Sequence, residues 1–221
     1  MNKVNYFFIH IPKNMGTCIQ QNLPLNQSQY WGEIPNIESY YNSRLADARR
    51  RPAFSQQACY RVPMSIDHLT CSELFQLGIL NVREPRHFFM IMREPVSRFL
   101  SLCNYWNISP DQLIVNIRER NVRKTQNYML FQHIRPQADY IDDCLQVVER
   151  FPEHRCSIFF MGSPRFSDFL DFCKIHFGVF GNFDEPTLVS EKKTTVMSLT
   201  TEHFNFIREY YARDFELFDT N

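Results

Sequence analysis

Tyr6-Phe7-Phe8-Ile9-His10-Ile11-Pro12-Lys13-Asn14-Met15-Gly16-Thr17-Cys18-Ile19 changes character twice within one short stretch. An apolar run of strand-forming residues, Tyr6 to Ile9, breaks at Pro12 into the polar loop Lys13 to Thr17, and a helix-like pattern resumes at Cys18-Ile19-Gln20-Gln21. Strand, loop and helix N-terminus in that order make an anion site, because the first amides of a helix lack intrahelical acceptors and carry the positive end of its dipole. Gly16 lets the backbone approach a ligand closely, and Lys13 adds a full charge. A phosphate-like group is the expected ligand. In the nucleoside-triphosphatase loop the Lys follows the last Gly and precedes Ser or Thr, whereas here Lys13 comes before Gly16.

The chain of 221 residues is read as one domain, 1–221, with an irregular excursion on the substrate side at 22–57. With 44% apolar residues and 21 Phe it can bury a substantial core. Lys plus Arg equals Asp plus Glu at 24 each, so no overall field draws the chain to nucleic acid or an anionic membrane, and any anion site is local. The 7 Cys are scattered, odd in number and without a C-x-x-C pair, which argues against a disulfide framework or a zinc site and for a reducing compartment. Lys3 ahead of the first apolar run gives a superficial signal-peptide look, but that run is short, contains His10 and is taken up by the strand and loop. No apolar stretch reaches membrane-spanning length, so a soluble, cytoplasmic protein is expected.

Further along, Ala58 to Val62 reads as a second strand that leads through a loop to Asp67-His68. Leu69, Leu74 and Leu77 then mark a helix over 70–77 that stops at Gly78. His68 therefore follows a strand and precedes a helix, where catalytic groups gather in open α/β sheets, with Asp67 and Glu73 as competing bases. His87 to Met92 is apolar without alternation, as in a strand covered on both faces of a parallel sheet. It runs into Arg93-Glu94-Pro95-Val96-Ser97-Arg98-Phe99-Leu100-Ser101, with Pro95 suited to the first helical position and the helix continuing to Trp106. An Arg at a strand tip offers a bidentate fork to phosphate, and Ser101 on the following helix offers a hydroxyl; Arg98 is assigned to structural ion pairs. Helices are expected at 110–119, 139–150 and 165–177, a strand at 156–161, and a final helix from Thr200 whose hydroxyl caps it. Strands alternating with helices give a three-layer α/β fold with a mainly parallel sheet.

Two of these stretches resemble a known family. His10, Ile11, Pro12, Lys13, Gly16 and Thr17 match the loop His-Ile-Pro-Lys-Thr-Gly-Gly-Thr-Ser that binds the 5′-phosphosulfate in carbohydrate sulfotransferases related to heparan sulfate 2-O-sulfotransferase; Asn14, Met15 and Cys18 depart from it. Arg93 to Ser101 closely follows the family's 3′-phosphate segment, Arg-Asp-Pro-Val-Ser-Arg-Phe-Leu-Ser. Residues 124–130 are loosely similar to a segment near the family's substrate cleft, and Tyr210 to Phe218 is similar to its closing segment.

The resemblance implies a sulfotransferase fold and a P-loop-like nucleotide site for 3′-phosphoadenosine-5′-phosphosulfate (PAPS). Its cofactor contacts map to Lys13, Asn14, Met15, Gly16, Thr17, Cys18, Arg93 and Ser101, with Lys192 or Lys193 from a late loop that closes over the nucleotide. It further implies that His68 deprotonates an acceptor hydroxyl, carried by a carbohydrate in that family, which attacks sulfur in line while Lys13 stabilises charge on the leaving phosphate oxygen; no metal is called for. Family members of the Golgi carry a membrane anchor, so the chain is expected to be a soluble intracellular relative or a luminal catalytic domain. A P-loop-type kinase and a non-catalytic nucleotide- or glycan-binding module are the alternatives.

Overall fold

The computed structural model describes residues 5–23, 68–76, 78–118, 132–179, 183 and 195–220. The predicted strand at 58–62, the excursion at 22–57 beyond residue 23, the 124–130 segment and Lys192 and Lys193 lie outside the described residues.

Three parallel strands run in the order β1 (Asn5–Phe8), β2 (Arg86–Arg93) and β3 (Arg155–Met161). Phe7 pairs with Phe88 and Phe8 with Phe89, while Met90 pairs with Ile158 and Ile91 with Phe159. Successive side chains leave a strand on opposite faces, and each face has its own helical cover. Phe7, Phe88, Met90, Met92 and Phe160 pack against α2 (Cys71–Gln76), α5 (Gln137–Arg150) and the Leu217 and Phe218 side chains of α8 (Ala212–Asp219). Phe8, Phe89, Ile91 and Phe159 pack against α1 (Gly16–Asn22) and α6 (Phe166–Phe177). Covering both faces explains why Phe88 to Met92 are all fully buried and read as an unbroken apolar run. The described residues thus form a mixed α/β structure of three layers, helices outnumbering strands.

A third cluster joins α3 (Pro95–Trp106), α4 (Pro110–Arg118) and α7 (Thr201–Tyr210) through Phe99, Leu102, Leu113, Ile117, Phe206 and Ile207. Since α3 begins two residues after β2 ends, this cluster grows from the carboxyl end of the sheet. Glu94 fixes that junction: its carboxylate accepts from the amides of Val96 and Ser97 at 2.9 and 2.6 Å, and Pro95 opens the helix. Thr200 caps α7 in the same local way, through the amide of His203.

Several boundaries differ from the sequence reading, α5 for instance starting at Gln137 rather than Asp139, and two of the differences change how the chain is held. Helix α1 starts at Gly16, two residues before Cys18, so Gly16 and Thr17 belong to the helix. The closing helix is broken at Tyr211, whose buried hydroxyl donates to the Ile134 carbonyl at 3.0 Å and holds the chain where α7 gives way to α8.

Candidate functional site

The loop between β1 and α1 carries unusual backbone geometry. Lys13 and Met15 both have positive φ, 69° and 61°, in a region that costs an L-residue roughly 1–2 kcal/mol. Met15 occupies the position where the resembled loop has Gly, and its left-handed backbone is that of the N-cap of α1. The strain is held by long-range bonds. Asn14 is fully buried, and its amide donates to the Ile91 carbonyl at 2.7 Å and to Gln137 Oε1 at 2.6 Å. Gln137 also accepts from the Arg93 amide (2.9 Å) and donates to the Arg93 carbonyl (2.8 Å), tying the loop, the tip of β2 and the start of α5 into one node. Asp214 of α8 completes the node by accepting from the amides of Gln137 and Ala138.

Arg98 corrects one expectation. Its buried guanidinium makes no ion pair among the described residues; it donates to three main-chain carbonyls, those of Pro12 (3.1 Å), His133 (2.7 Å) and Arg135 (2.9 Å). It therefore braces the loop against residues 132–135. Arg98 is a scaffold residue.

Two cations of the sequence motifs meet at this loop. Arg93 donates from Nη1 to the Lys13 carbonyl at 3.3 Å and from Nε to Ser97 Oγ at 3.0 Å. Ser97 lies one turn before Ser101 on the same face of α3, so the hydroxyl that Arg93 holds is Ser97, with Ser101 next along that face. The Lys13 ammonium rests 3.9 Å over the Tyr105 ring. Burial, and secondarily the charge of Arg93, lowers the Lys13 pKa to about 8. Neither cation has a carboxylate partner within ion-pair distance among the described residues.

The other predicted residues are placed as follows. Gly16 is pressed under the His10 imidazole, so its lack of a side chain accommodates that ring. Cys18 is buried in the core beside Ile19, with Asn22 Nδ2 3.5 Å from its sulfur, so its side chain packs in the core and only its backbone amide is left to meet a ligand. The Asn14 side chain likewise serves the scaffold, although its buried Oδ1 has no hydrogen-bond partner. Glu73 is held bidentately by Arg135 at 2.9 and 3.1 Å and accepts from the Thr70 amide, which removes it as a competing base. The bond to Arg135 also keeps its carboxyl below the usual range against the opposing effect of burial.

His68 is only 6% exposed and sits in an array of rings. Its centroid lies 4.6 Å from that of His10 and 4.9 Å from that of His133. Its Nδ1 is 3.2 Å from the His10 carbonyl and its Nε2 is 3.1 Å from His133 Nε2, while Trp106 Nε1 reaches His133 Nδ1 at 3.1 Å. Tyr105 packs edge-on to His133 at 5.3 Å and so links the array to Lys13. His133, Trp106, Tyr105, Ser97 and Gln137 were not singled out by the sequence. Only Ser97, one turn from Ser101, carried a local signal.

A groove of about 470 Å³ opens elsewhere, lined by Thr70, Glu73, Arg135, Asp139, Asp143 and Tyr210 among others. None of the predicted nucleotide contacts lines it. Its three carboxylates face a single guanidinium already committed to Glu73, a charge set that repels a polyanionic ligand. The unpaired cations at the loop make that loop the better anion site.

Among the described residues, no group of three or more His, Cys, Asp or Glu side chains is arranged to hold a metal ion, and no helix is long and apolar enough to cross a membrane. Compared with family models, with curated proteins and with solved structures, the chain matches none of them.

Proposed function

We propose that the chain is a sulfotransferase of the carbohydrate sulfotransferase type, which transfers a sulfuryl group from PAPS to a hydroxyl of a carbohydrate acceptor. The observation that carries this reading is the meeting of Lys13 and Arg93, two cations from separate motifs joined through the Lys13 carbonyl and left without carboxylate partners among the described residues. Uncompensated, half-buried cations of like sign are costly, and an anion between them offsets the cost.

In this reading Lys13 and the amides of residues 14–17 hold the 5′-phosphate, and Arg93 with Ser97 and Ser101 holds the 3′-phosphate. PAPS, when bound, supplies the activated sulfuryl group. His68 takes the acceptor proton at Nε2, its Nδ1–H anchored on the His10 carbonyl. We place the protein in solution, since among the described residues no helix is long and apolar enough to cross a membrane.

A second reading, a module that binds the nucleotide without turnover, draws on the burial of His68 and on His133 standing at its Nε2. His68→Ala separates the two, since a module keeps its ligand affinity and an enzyme loses transfer. The test of the proposal itself is thermal unfolding with and without 3′-phosphoadenosine-5′-phosphate. Ligand at a hundred times its Kd stabilises by about 2.7 kcal/mol, which raises Tm by roughly 5 to 10 °C for a domain this size. The shift is expected in the wild type and lost in Arg93→Ala. No shift with this ligand, together with a shift for ATP and magnesium, would replace sulfuryl transfer by a kinase.

A further inference from the structure

Among the described residues, fixed donors and acceptors at the two ends of the array set the roles of the ring nitrogens of His133 and His68. The Trp106 Nε1–H only donates, so His133 Nδ1 must accept. A neutral His133 then carries its proton on Nε2. At the far end the His10 carbonyl only accepts, so His68 Nδ1 must donate, and its Nε2 presents a lone pair. The 3.1 Å contact between the two Nε2 atoms is therefore a hydrogen bond from His133 to His68. Reversing any tautomer puts two N–H groups or two lone pairs face to face. The chain Trp106 to His133 to His68 to the His10 carbonyl runs in one direction only.

From this geometry, and resting on the sulfotransferase reading above, we infer that His133 is a positioning residue: its Nε2–H holds the lone pair of His68 until an acceptor hydroxyl displaces it. An acceptor O–H and the His133 N–H are both donors to the same nitrogen, so His133 marks the direction from which the hydroxyl arrives. On transfer the hydroxyl proton goes to His68 Nε2, the acceptor oxygen bonds to sulfur, and the bond from sulfur to the phosphate oxygen breaks. His68 then carries N–H on both nitrogens, and His133 cannot re-form its bond until the proton leaves.

The charged and titratable groups facing the pair reinforce the neutral resting state. Among the described residues they are His10 after β1, Lys13 in the loop and Arg98 on α3, and every one of them disfavours a second positive charge. Burial acts in the same direction.

The test uses the full chain, labelled with nitrogen-15 at histidine, and reads tautomers by two-bond proton–nitrogen correlation together with the titration of each ring. The wild type is expected to show His68 protonated at Nδ1 and His133 at Nε2. His133→Phe keeps a ring against Trp106 and Tyr105 but removes the donor, and it is expected to raise the pKa of His68 by about one unit, since a bond donated to a neutral base favours the neutral form. His133→Gln restores an N–H and is expected to return the titration towards wild type. If His133→Phe does not fold, Trp106→Phe serves instead: it releases the His133 tautomer, so an Nδ1–H population appears and the His68 Nε2 signal shifts. His68 protonated at Nε2 in the wild type, or an unchanged His68 titration in folded His133→Phe, would overturn the inference. Failure of 3′-phosphoadenosine-5′-phosphate to stabilise the protein, with the tautomers as stated, would instead remove the sulfotransferase reading and leave the hydrogen-bond chain standing.

Discussion

Gly16 lies so close beneath the imidazole of His10 that a Cβ on it would stand 1.8 Å from Nε2 and 2.2 Å from Cε1. The sequence offers this glycine for close approach of the backbone to a phosphate, and in the structure its missing side chain also makes room for a histidine ring. Gly16→Ala is thus an overpacking change, expected to cost about 1–3 kcal/mol in urea unfolding. Adding His10→Ala removes the clash, and the double variant is expected to be more stable than the sum of the two single losses by at least about 1 kcal/mol. Strict additivity would show that the ring does not constrain Gly16.

Gln137 offers a second test of the scaffold. Its side chain satisfies the Asn14 amide, both main-chain groups of Arg93, and part of Asp214. Gln137→Leu keeps the approximate volume but leaves several buried polar groups unpaired, at about 1–3 kcal/mol for each. A loss of more than about 3 kcal/mol in chemical denaturation is expected, together with, if the proposed function holds, weaker nucleotide binding as the loop loosens. A variant within 1 kcal/mol of wild type would mean that water replaces the bonds.

Lys13 predicts an alkaline signature. Its pKa falls from 10.5 in the unfolded chain to about 8 in the folded one, first through burial and then through Arg93. Between those values the unfolded chain holds the extra proton, so folding stability rises with pH across that window. The difference in stability between wild type and Lys13→Met should therefore move in favour of wild type as pH climbs from about 8 to 10.5, and Arg93→Ala should raise the Lys13 pKa measured by NMR. If Lys13 steadies the leaving oxygen, Lys13→Ala lowers kcat by about 10²–10³.

Acid exposes the buried imidazoles. His133 is pushed from 6.5 down to about 3 by burial and by the charges of His68, Lys13 and Arg98, and His10 is held well below the same ordinary value, mainly by burial. The unfolded chain takes up these protons first, so stability falls as pH drops below 6.5, and the share of His133 is lost progressively down to about 3. Each such histidine contributes a slope of about 1.4 kcal/mol per pH unit. Asp139 and Asp214, whose carboxyls burial raises, act with the opposite sign, but they are common to both proteins in a comparison with His133→Phe. That variant is expected to show the shallower acid loss, measured by urea unfolding at pH 6, 5 and 4. Equal slopes would mean that His133 is charged in the native state.

The parts of the fold legible in the sequence are those whose causes are local. The unbroken run Phe88 to Met92 announced a strand covered on both faces, and the register of β2 between β1 and β3 agrees. Pro95 and Thr200 marked helix starts because each acts within its own first turn. Thr70 and Glu73 likewise cap α2 reciprocally within its own first turn, with Asp143 adding a bond to the Ser72 amide from far away in the chain; the cap on α5 had no such local signal and comes from Asp214. Ser101 was legible through its spacing from Arg93, yet the guanidinium holds Ser97, because rotamer and reach decide between two hydroxyls on one helical face.

By itself the sequence determined the alternation of strands and helices, the cationic loop at Lys13 and the strand tip at Arg93, since hydrophobic period and turn chemistry depend on near neighbours. Only the tertiary structure decided what those residues touch. Asn14 and Gln137 are 123 positions apart, and Arg93 reaches the Lys13 carbonyl across 80, distances over which no periodicity carries information. The tautomers of His68 and His133 depend further on a tryptophan at one end and a carbonyl at the other, brought into line only by packing. Residue types supplied the donors and acceptors, and the folded arrangement chose which of them meet.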